Sequence, residues 1–183
     1  DDQRLAAAHV ARREYLLHAG PVVAQLGAHP AARIVADADA RFANLPGYPF
    51  APHYIDVANP YAEAPLRMHY VDEGPTDAKT NTAGRAASGS KPAPVVLMIH
   101  GEPSLSYLYR KMVPVLVQAG HRCIVPDLVG FGRSDKPLDM ETHTYAFHVG
   151  MMTKLVEALD LRDATFFGQD WGGLIGLRVV AEN

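Results

Sequence analysis

At 183 residues the chain is long enough for one domain with a real core, and 48% hydrophobic with 20% charged residues is ordinary globular composition. A net charge of -3 with no basic cluster speaks against nucleic-acid binding, and no apolar run approaches the roughly 20 residues of a membrane helix. Cys123 is the only cysteine, which excludes an internal disulfide framework; it lies in the apolar run 121–125 and reads as a small core residue.

Residues 1–40 are Ala-rich and lean helical, with a loose apolar stripe of Leu5, Val10, Tyr15, Leu16, Val22, Val23 and Leu26 that Gly20-Pro21 divides. They read as a helical N-terminal extension. Arg12-Arg13 slightly resembles a twin-arginine export signal, but His18, Gln25 and His29 interrupt the apolar stretch; the extension is the preferred reading, and the expected compartment is the cytoplasm. Residues 41–53 carry Pro46, Pro49 and Pro52 among Phe42, Tyr48 and Phe50. Prolines at that density exclude a helix, and the aromatics are expected to pin this loop to the body of the domain.

Two alternating runs, Tyr54 to Val57 and Leu66 to Val71, predict the strands of an antiparallel edge hairpin. Residues 76–93, rich in Ala, Thr, Ser, Gly and Lys, predict a flexible surface loop. Pro94 to Ile99 is continuously apolar, as in a parallel strand buried on both faces. A helix is expected over Ser106 to Ala119 with Leu108, Met112, Val115 and Leu116 on one face, then a strand over Arg122 to Pro126. A second helix over Tyr145 to Leu159 places Phe147, Met151, Leu155 and Leu159 inward, and a third parallel strand over Asp163 to Gly168 reads as buried. Alternation of strand and helix from residue 94 onward predicts an α/β fold: a mostly parallel sheet with right-handed crossovers and an antiparallel edge hairpin.

Ligands in such sheets bind where parallel strands end. Gly168-Gln169-Asp170-Trp171-Gly172-Gly173 follows the third strand and precedes an apolar helix, Leu174 to Val180. Strand, Gly-x-nucleophile-x-Gly, helix is the nucleophile elbow, a turn so tight that its flanking residues must be small. Here Asp170 stands where esterases carry Ser, and a carboxylate there can attack carbon and leave a covalent ester. An ordinary β-turn gives the same short pattern, so the residues around it decide. After the first parallel strand, the turn at His100-Gly101-Glu102-Pro103 could aim the Glu102 N–H at the nucleophile; Trp171 could donate a second N–H, making an oxyanion hole. The indole of Trp171 is a donor with no acceptor capacity, suited either to core packing or to holding a departing anion. Asp127 is expected to hold its own loop by accepting backbone N–H groups, and His100 to make a structural hydrogen bond.

These segments resemble the haloalkane dehalogenases, α/β-hydrolases with an Asp nucleophile. The resemblance rests on 100–112, on 127–137, on 168–173 and on 42–53. It covers about 41–183, interrupted at 76–93. Leu105 departs from it, since the family usually has Trp there; we read that as a packing change. The resemblance implies hydrolytic dehalogenation of haloalkanes to alcohol and halide, a detoxification chemistry that runs through an ester on Asp170. It implies that Trp171 is one of two halide-holding side chains, and that the Glu102 and Trp171 N–H groups form the oxyanion hole. The Glu102 side chain would help position the hydrolytic water. No cofactor or metal is implied; the partners are a small halogenated aliphatic substrate, halide and water, with the oligomeric state open.

An epoxide hydrolase uses the same Asp elbow, but usually has an aromatic residue where this chain has Glu102 and His where it has Gln169. A non-catalytic α/β-hydrolase-like binding module is the alternative from another class. None of the nine histidines follows Asp170, although the nucleophile precedes the acid and His in this fold. The expectation is therefore a fold truncated after the elbow helix: an N-terminal extension over 1–40 and the front part of the core over 41–183, without the cap, the catalytic His and the acid.

Overall fold

The apolar run before His100 forms the middle of three parallel strands. The computed structural model describes residues 40–60, 64–75, 92–138 and 142–182. Strands β1 (His53–Val57), β2 (Leu66–Glu73), β3 (Val95–Ile99), β4 (Arg122–Pro126) and β5 (Thr165–Gly168) make one sheet in the order β1-β2-β4-β3-β5. β3 runs parallel to β4, with Leu97 beside Ile124, and parallel to β5, with Ile99 beside Gly168. β1 and β2 are antiparallel, with His53 beside Tyr70, and β2 joins β4 antiparallel. The extension expected over 1–40 and the loop expected over 76–93 lie, but for their last one or two residues, outside the described part.

Alternation along the strands sorts the core into two faces. Leu97, Ile99 and Ile124 point to the face covered by α2 (Tyr145–Ala158) and α3 (Trp171–Glu182), where they meet Phe147, Met151, Leu155, Ile175 and Val179. Val96, Met98, Cys123 and Val125 point the other way, toward Tyr109, Tyr48 and Val113 of α1 (Met112–Gln118). Each fully buried aliphatic side chain contributes about 1.5–3 kcal/mol to folding. Cys123 is fully buried as expected, and burial pushes its thiol up to about 12, with Glu73 and Asp72 adding to the shift. The start of α2 is fixed by Thr144, whose hydroxyl accepts from the Phe147 N–H at 3.1 Å.

Several boundaries differ from the sequence reading. The single helix expected over Ser106 to Ala119 is a 3₁₀ turn, Ser106–Tyr109, followed by α1. Pro114 is the reason: its ring conflicts with the carbonyl four residues back, Arg110, so it is tolerated in the first turn of α1 but not in a helix begun at Ser106. The expected inner face changes with it. Leu108 and Val115 are exposed, while Tyr109 and Val113 are buried. β5 starts at Thr165 rather than Asp163, because Asp160 and Asp163 take positive φ values of 46° and 51° in the preceding turn. Phe167 is 45% exposed, so β5 is only half-buried, as the edge strand of the described sheet. β2 extends to Glu73 and is buried on both faces, since only β1 occupies the edge; its Asp72 forms a buried bidentate pair with Arg122 at 2.8 and 2.6 Å.

The proline-rich loop is held as expected. The Tyr48 ring packs edge-on against Phe50 and beside Tyr107, and its hydroxyl lies 2.6 Å from Ser106 Oγ. The Tyr107 hydroxyl donates to the Pro46 carbonyl at 2.9 Å.

Candidate active site

The ends of β3 and β5 converge on Asp170. β3 leads into His100-Gly101-Glu102, and β5 leads through Gln169 into Asp170, which sits at φ 53°, left-handed for a residue with a Cβ. Such a strained strand-to-helix corner is what an elbow requires. α3 begins at the next residue, Trp171. Gly172 lets this corner press against β3: a Cβ there would lie on the carbonyl oxygens of Ile99 and His100.

The corner is stitched to β3 by three contacts. The Gln169 N–H donates to the Ile99 carbonyl at 3.2 Å. The Gly101 N–H donates to Gln169 Oε1 at 3.3 Å, and the Glu102 N–H donates to Asp170 Oδ1 at 3.0 Å. The structure thus brings Glu102 and Asp170 together across 68 residues. Trp171 is half-buried against the α2 and α3 core, its ring 6.4 Å from that of Tyr145. As the first residue of α3 its N–H has no acceptor within the helix. The Tyr145 hydroxyl donates to the Leu174 carbonyl at 3.0 Å, tying the start of α2 to the first turn of α3. Asp170 and Gln169 are exposed.

His100 is fully buried, and both its nitrogens are engaged. Nδ1 lies 2.8 Å from the Gly101 carbonyl, and Nε2 lies 3.0 Å from the Leu128 N–H. That pairing requires the neutral tautomer that donates from Nδ1 and accepts at Nε2. Burial lowers its pKa, outweighing the opposing effects of the Asp127 charge and the Gly101 carbonyl. Its one lone pair is committed to Leu128, which agrees with the structural reading and leaves no base there.

Asp127 is also buried and structural. Its Oδ1 accepts from the Ser106 N–H at 2.7 Å, and its Oδ2 from the Arg133 N–H and from His69 Nδ1, both at 2.8 Å. Burial alone would raise its pKa, but hydrogen bonding from His69 and from the Arg133 N–H holds the carboxyl well below the usual carboxylate range. The sequence reading missed the supporting contacts of Gln169, Tyr145 and His69. Their partners lie 68, 29 and 58 residues away, and no local pattern reports such pairings.

Comparison with known proteins agrees with this fold. Residues 94–183 match the family described as alpha/beta hydrolase fold. A haloalkane dehalogenase of Psychrobacter cryohalolentis is 52% identical over 151 residues, which are 82% of this chain and 45% of that protein. The tetrameric haloalkane dehalogenase DpaA of Paraglaciecola agarilytica superposes with a TM-score of 0.67 at 39% identity, over 82% of this chain and 45% of that one. A Vigna radiata epoxide hydrolase gives 0.57 at 25% identity, over 73% and 35%. The chain therefore spans under half the length of these relatives. Its five-stranded sheet, parallel with an antiparallel edge, is that of the α/β-hydrolase fold, in a chain that resembles the N-terminal portion of the haloalkane dehalogenases.

Proposed function

We propose that this chain carries the nucleophile half of a haloalkane dehalogenase, with Asp170 as the attacking group. The observation that carries the reading is the 3.0 Å bond from the Glu102 N–H to Asp170 Oδ1, on an elbow at φ 53°. One carboxylate oxygen is oriented by that bond, while the other can approach an sp³ carbon. A C–O bond forms as the C–halogen bond breaks, and the halide leaves with the electron pair. The α3 N-terminus favours negative charge at this place, and the Trp171 indole N–H is available to the leaving halide. The ester is then hydrolysed at the Asp170 carbonyl carbon, where the Glu102 and Trp171 N–H groups stabilise the oxyanion. The Glu102 side chain helps position the water. The substrate class is a small halogenated aliphatic.

An epoxide-opening reading draws on the likeness to the Vigna radiata enzyme. It requires a proton donor to the alkoxide, whereas a halide leaves with only N–H donors to hold it. Dehalogenation is favoured because Trp171 supplies such a donor, and because the chain carries Glu102 and Gln169 where epoxide hydrolases usually have an aromatic residue and His. The division into an extension over 1–40 and a core portion over 41–183 belongs to the same proposal.

Exposure of residues 1–183 to a short bromoalkane, followed by intact-mass and peptide mass spectrometry, tests the reading. The expected product is one alkyl group per chain on the Asp170 peptide, without steady halide release, because His100 is committed and none of the nine histidines follows Asp170. Continuous turnover would refute the inactivity of this chain. No adduct would refute the nucleophile and favour a binding module.

A further inference from the structure

The loop from His100 to Ser106 places the Glu102 N–H, yet most of it is not regular structure, and its anchors lie elsewhere in the chain. At its start, His100 accepts at Nε2 from the Leu128 N–H, 3.0 Å away, and passes the constraint on through Nδ1 to the Gly101 carbonyl at 2.8 Å. At its end, the Ser106 N–H donates to Asp127 Oδ1 at 2.7 Å. Between them the Ser104 N–H closes a turn on the Gly101 carbonyl at 3.0 Å. The two anchors, Asp127 and Leu128, are consecutive residues of the loop after β4.

Asp127 is itself held at every polar atom. Its N–H donates to the His69 carbonyl at 2.9 Å, and its carbonyl accepts from Ser134 Oγ at 2.7 Å. Its second carboxylate oxygen takes His69 Nδ1 and the Arg133 N–H. An acceptor fixed this way cannot follow a drifting loop, so the loop must come to it.

Resting on the oxyanion-hole reading above, we propose that Asp127, together with His100 on Leu128, is a positioning device: it clamps both ends of the 100–106 loop and so holds the Glu102 N–H on the Asp170 carboxylate. Neither Asp127 nor His100 touches the reacting atoms. Loss of a clamp releases the N–H without removing it.

Ser106→Pro breaks one clamp, removing the N–H and setting a ring carbon against Asp127 Oδ1. Leu105 lies at φ -159° and ψ 178°, the extended range that a residue before proline prefers, and Ser106 opens the 3₁₀ turn, where proline is tolerated. The substitution deletes the N–H donor. Ser106→Ala keeps the N–H and removes only the hydroxyl that meets Tyr48. Hydrogen exchange of the Glu102 amide, read by NMR on residues 1–183 and compared with the amides of β3 and β4, is the primary measurement. Ser106→Pro is expected to raise Glu102 exchange about tenfold, the worth of one hydrogen bond, over any change in the strands. Ser106→Ala should leave it at the wild-type value. The rate of Asp170 alkylation by a bromoalkane should fall in Ser106→Pro alone.

Unchanged Glu102 exchange in folded Ser106→Pro overturns the clamp. So does an equal rise in Ser106→Ala, or a rise shared equally by β3 and β4. Should Ser106→Pro not fold, the pair His100→Leu and His100→Gln decides: exchange that rises in the first and is restored by the second, which keeps an acceptor for Leu128, supports the clamp, and equal exchange in both overturns it. If the wild-type chain takes no alkyl group, the dehalogenase reading fails while the exchange data still decide the clamp.

Discussion

The Glu102 N–H points at Asp170 Oδ1 from 3.0 Å, across 68 residues of sequence and two separate strand ends. The donor therefore stands beside the carboxylate carbon in the resting protein, before any ester exists. Hydrogen-bond donors placed in advance stabilise charge without reorganising at the moment of reaction. Position is everything in such a site, and glycine supplies it here.

Gly101 should tolerate no side chain. A Cβ at this residue would run into the Asp170 side chain and the Gln169 carbonyl. Gly101→Ala is expected to slow alkylation of Asp170 by about 10²-fold, the scale of displacing a reacting group from its attack geometry. Far-ultraviolet circular dichroism should stay native, since the substitution lies in a loop. Alkylation at the wild-type rate in Gly101→Ala would mean that the Glu102 to Asp170 contact does not shape reactivity.

Much of this site could be read from local pattern, and the missing parts share one cause. β3 was readable because a strand covered on both faces is apolar at every position, as Val95 to Ile99 are. The elbow was readable because its geometry forces small residues beside Asp170. The helix after His100 was misjudged because apolar spacing averages over a window, while Pro114 acts at a single peptide. The supports of the site, such as Asp127 on Ser106 and Gln169 on Gly101, join residues 21 and 68 positions apart. Sequence names the acceptor in such pairs but not the donor it meets.

His100 should make stability fall on mild acidification. Its folded pKa lies below the ordinary 6.5, because burial disfavours the imidazolium. The unfolded chain therefore takes up the proton first. Stability from this residue is complete above about 6.5, and is lost as pH drops below that value toward the folded pKa, at up to about 1.4 kcal/mol per pH unit. Asp127 adds a separate loss at lower pH: its folded pKa is depressed, so its contribution is full above the unfolded value of 3.8 and disappears below it. Urea midpoints of wild type and His100→Gln across the range from about pH 7.5 to 5.5 check the first part. The variant should show the shallower slope whatever its absolute stability, and parallel slopes would count against a neutral buried His100.

Trp171 should report halide. It is the only tryptophan in the chain, so its fluorescence carries no background from other indoles. Its ring is half-buried beside Tyr145, directly after Asp170. Chloride and bromide should change its emission along a saturating curve, since a bound anion occupies one site. A strictly linear dependence on halide concentration is collisional quenching, and would leave Trp171 with a packing role alone. In a longer protein containing this chain, Trp171→Phe should weaken halide affinity and slow turnover of bromoalkanes.

The path of oxygen tests the whole mechanism. A carboxylate is a competent nucleophile toward an sp³ carbon bearing a leaving group and a poor one toward an amide or an ordinary ester, so an aspartate elbow suits alkyl halides. The ester it forms has two carbons that water could attack. Attack at the alkyl carbon would need a second displacement, with Asp170 as the leaving group and no oxyanion to stabilise. Attack at the Asp170 carbonyl carbon puts the developing charge on the oxygen that the Glu102 N–H already faces at 3.0 Å. The second path therefore takes precedence. It places one solvent oxygen in the Asp170 carboxylate, and gives the alcohol an oxygen that came from the protein. A single turnover in ¹⁸O-water by a longer protein containing this chain, followed by mass spectrometry of the Asp170 peptide and of the alcohol, should find the label in the peptide and not in the alcohol. Label in the alcohol with none in the peptide would overturn attack at the Asp170 carbonyl carbon, and if no alkyl adduct on Asp170 forms either, water attacks the substrate itself and Asp170 loses its role as nucleophile.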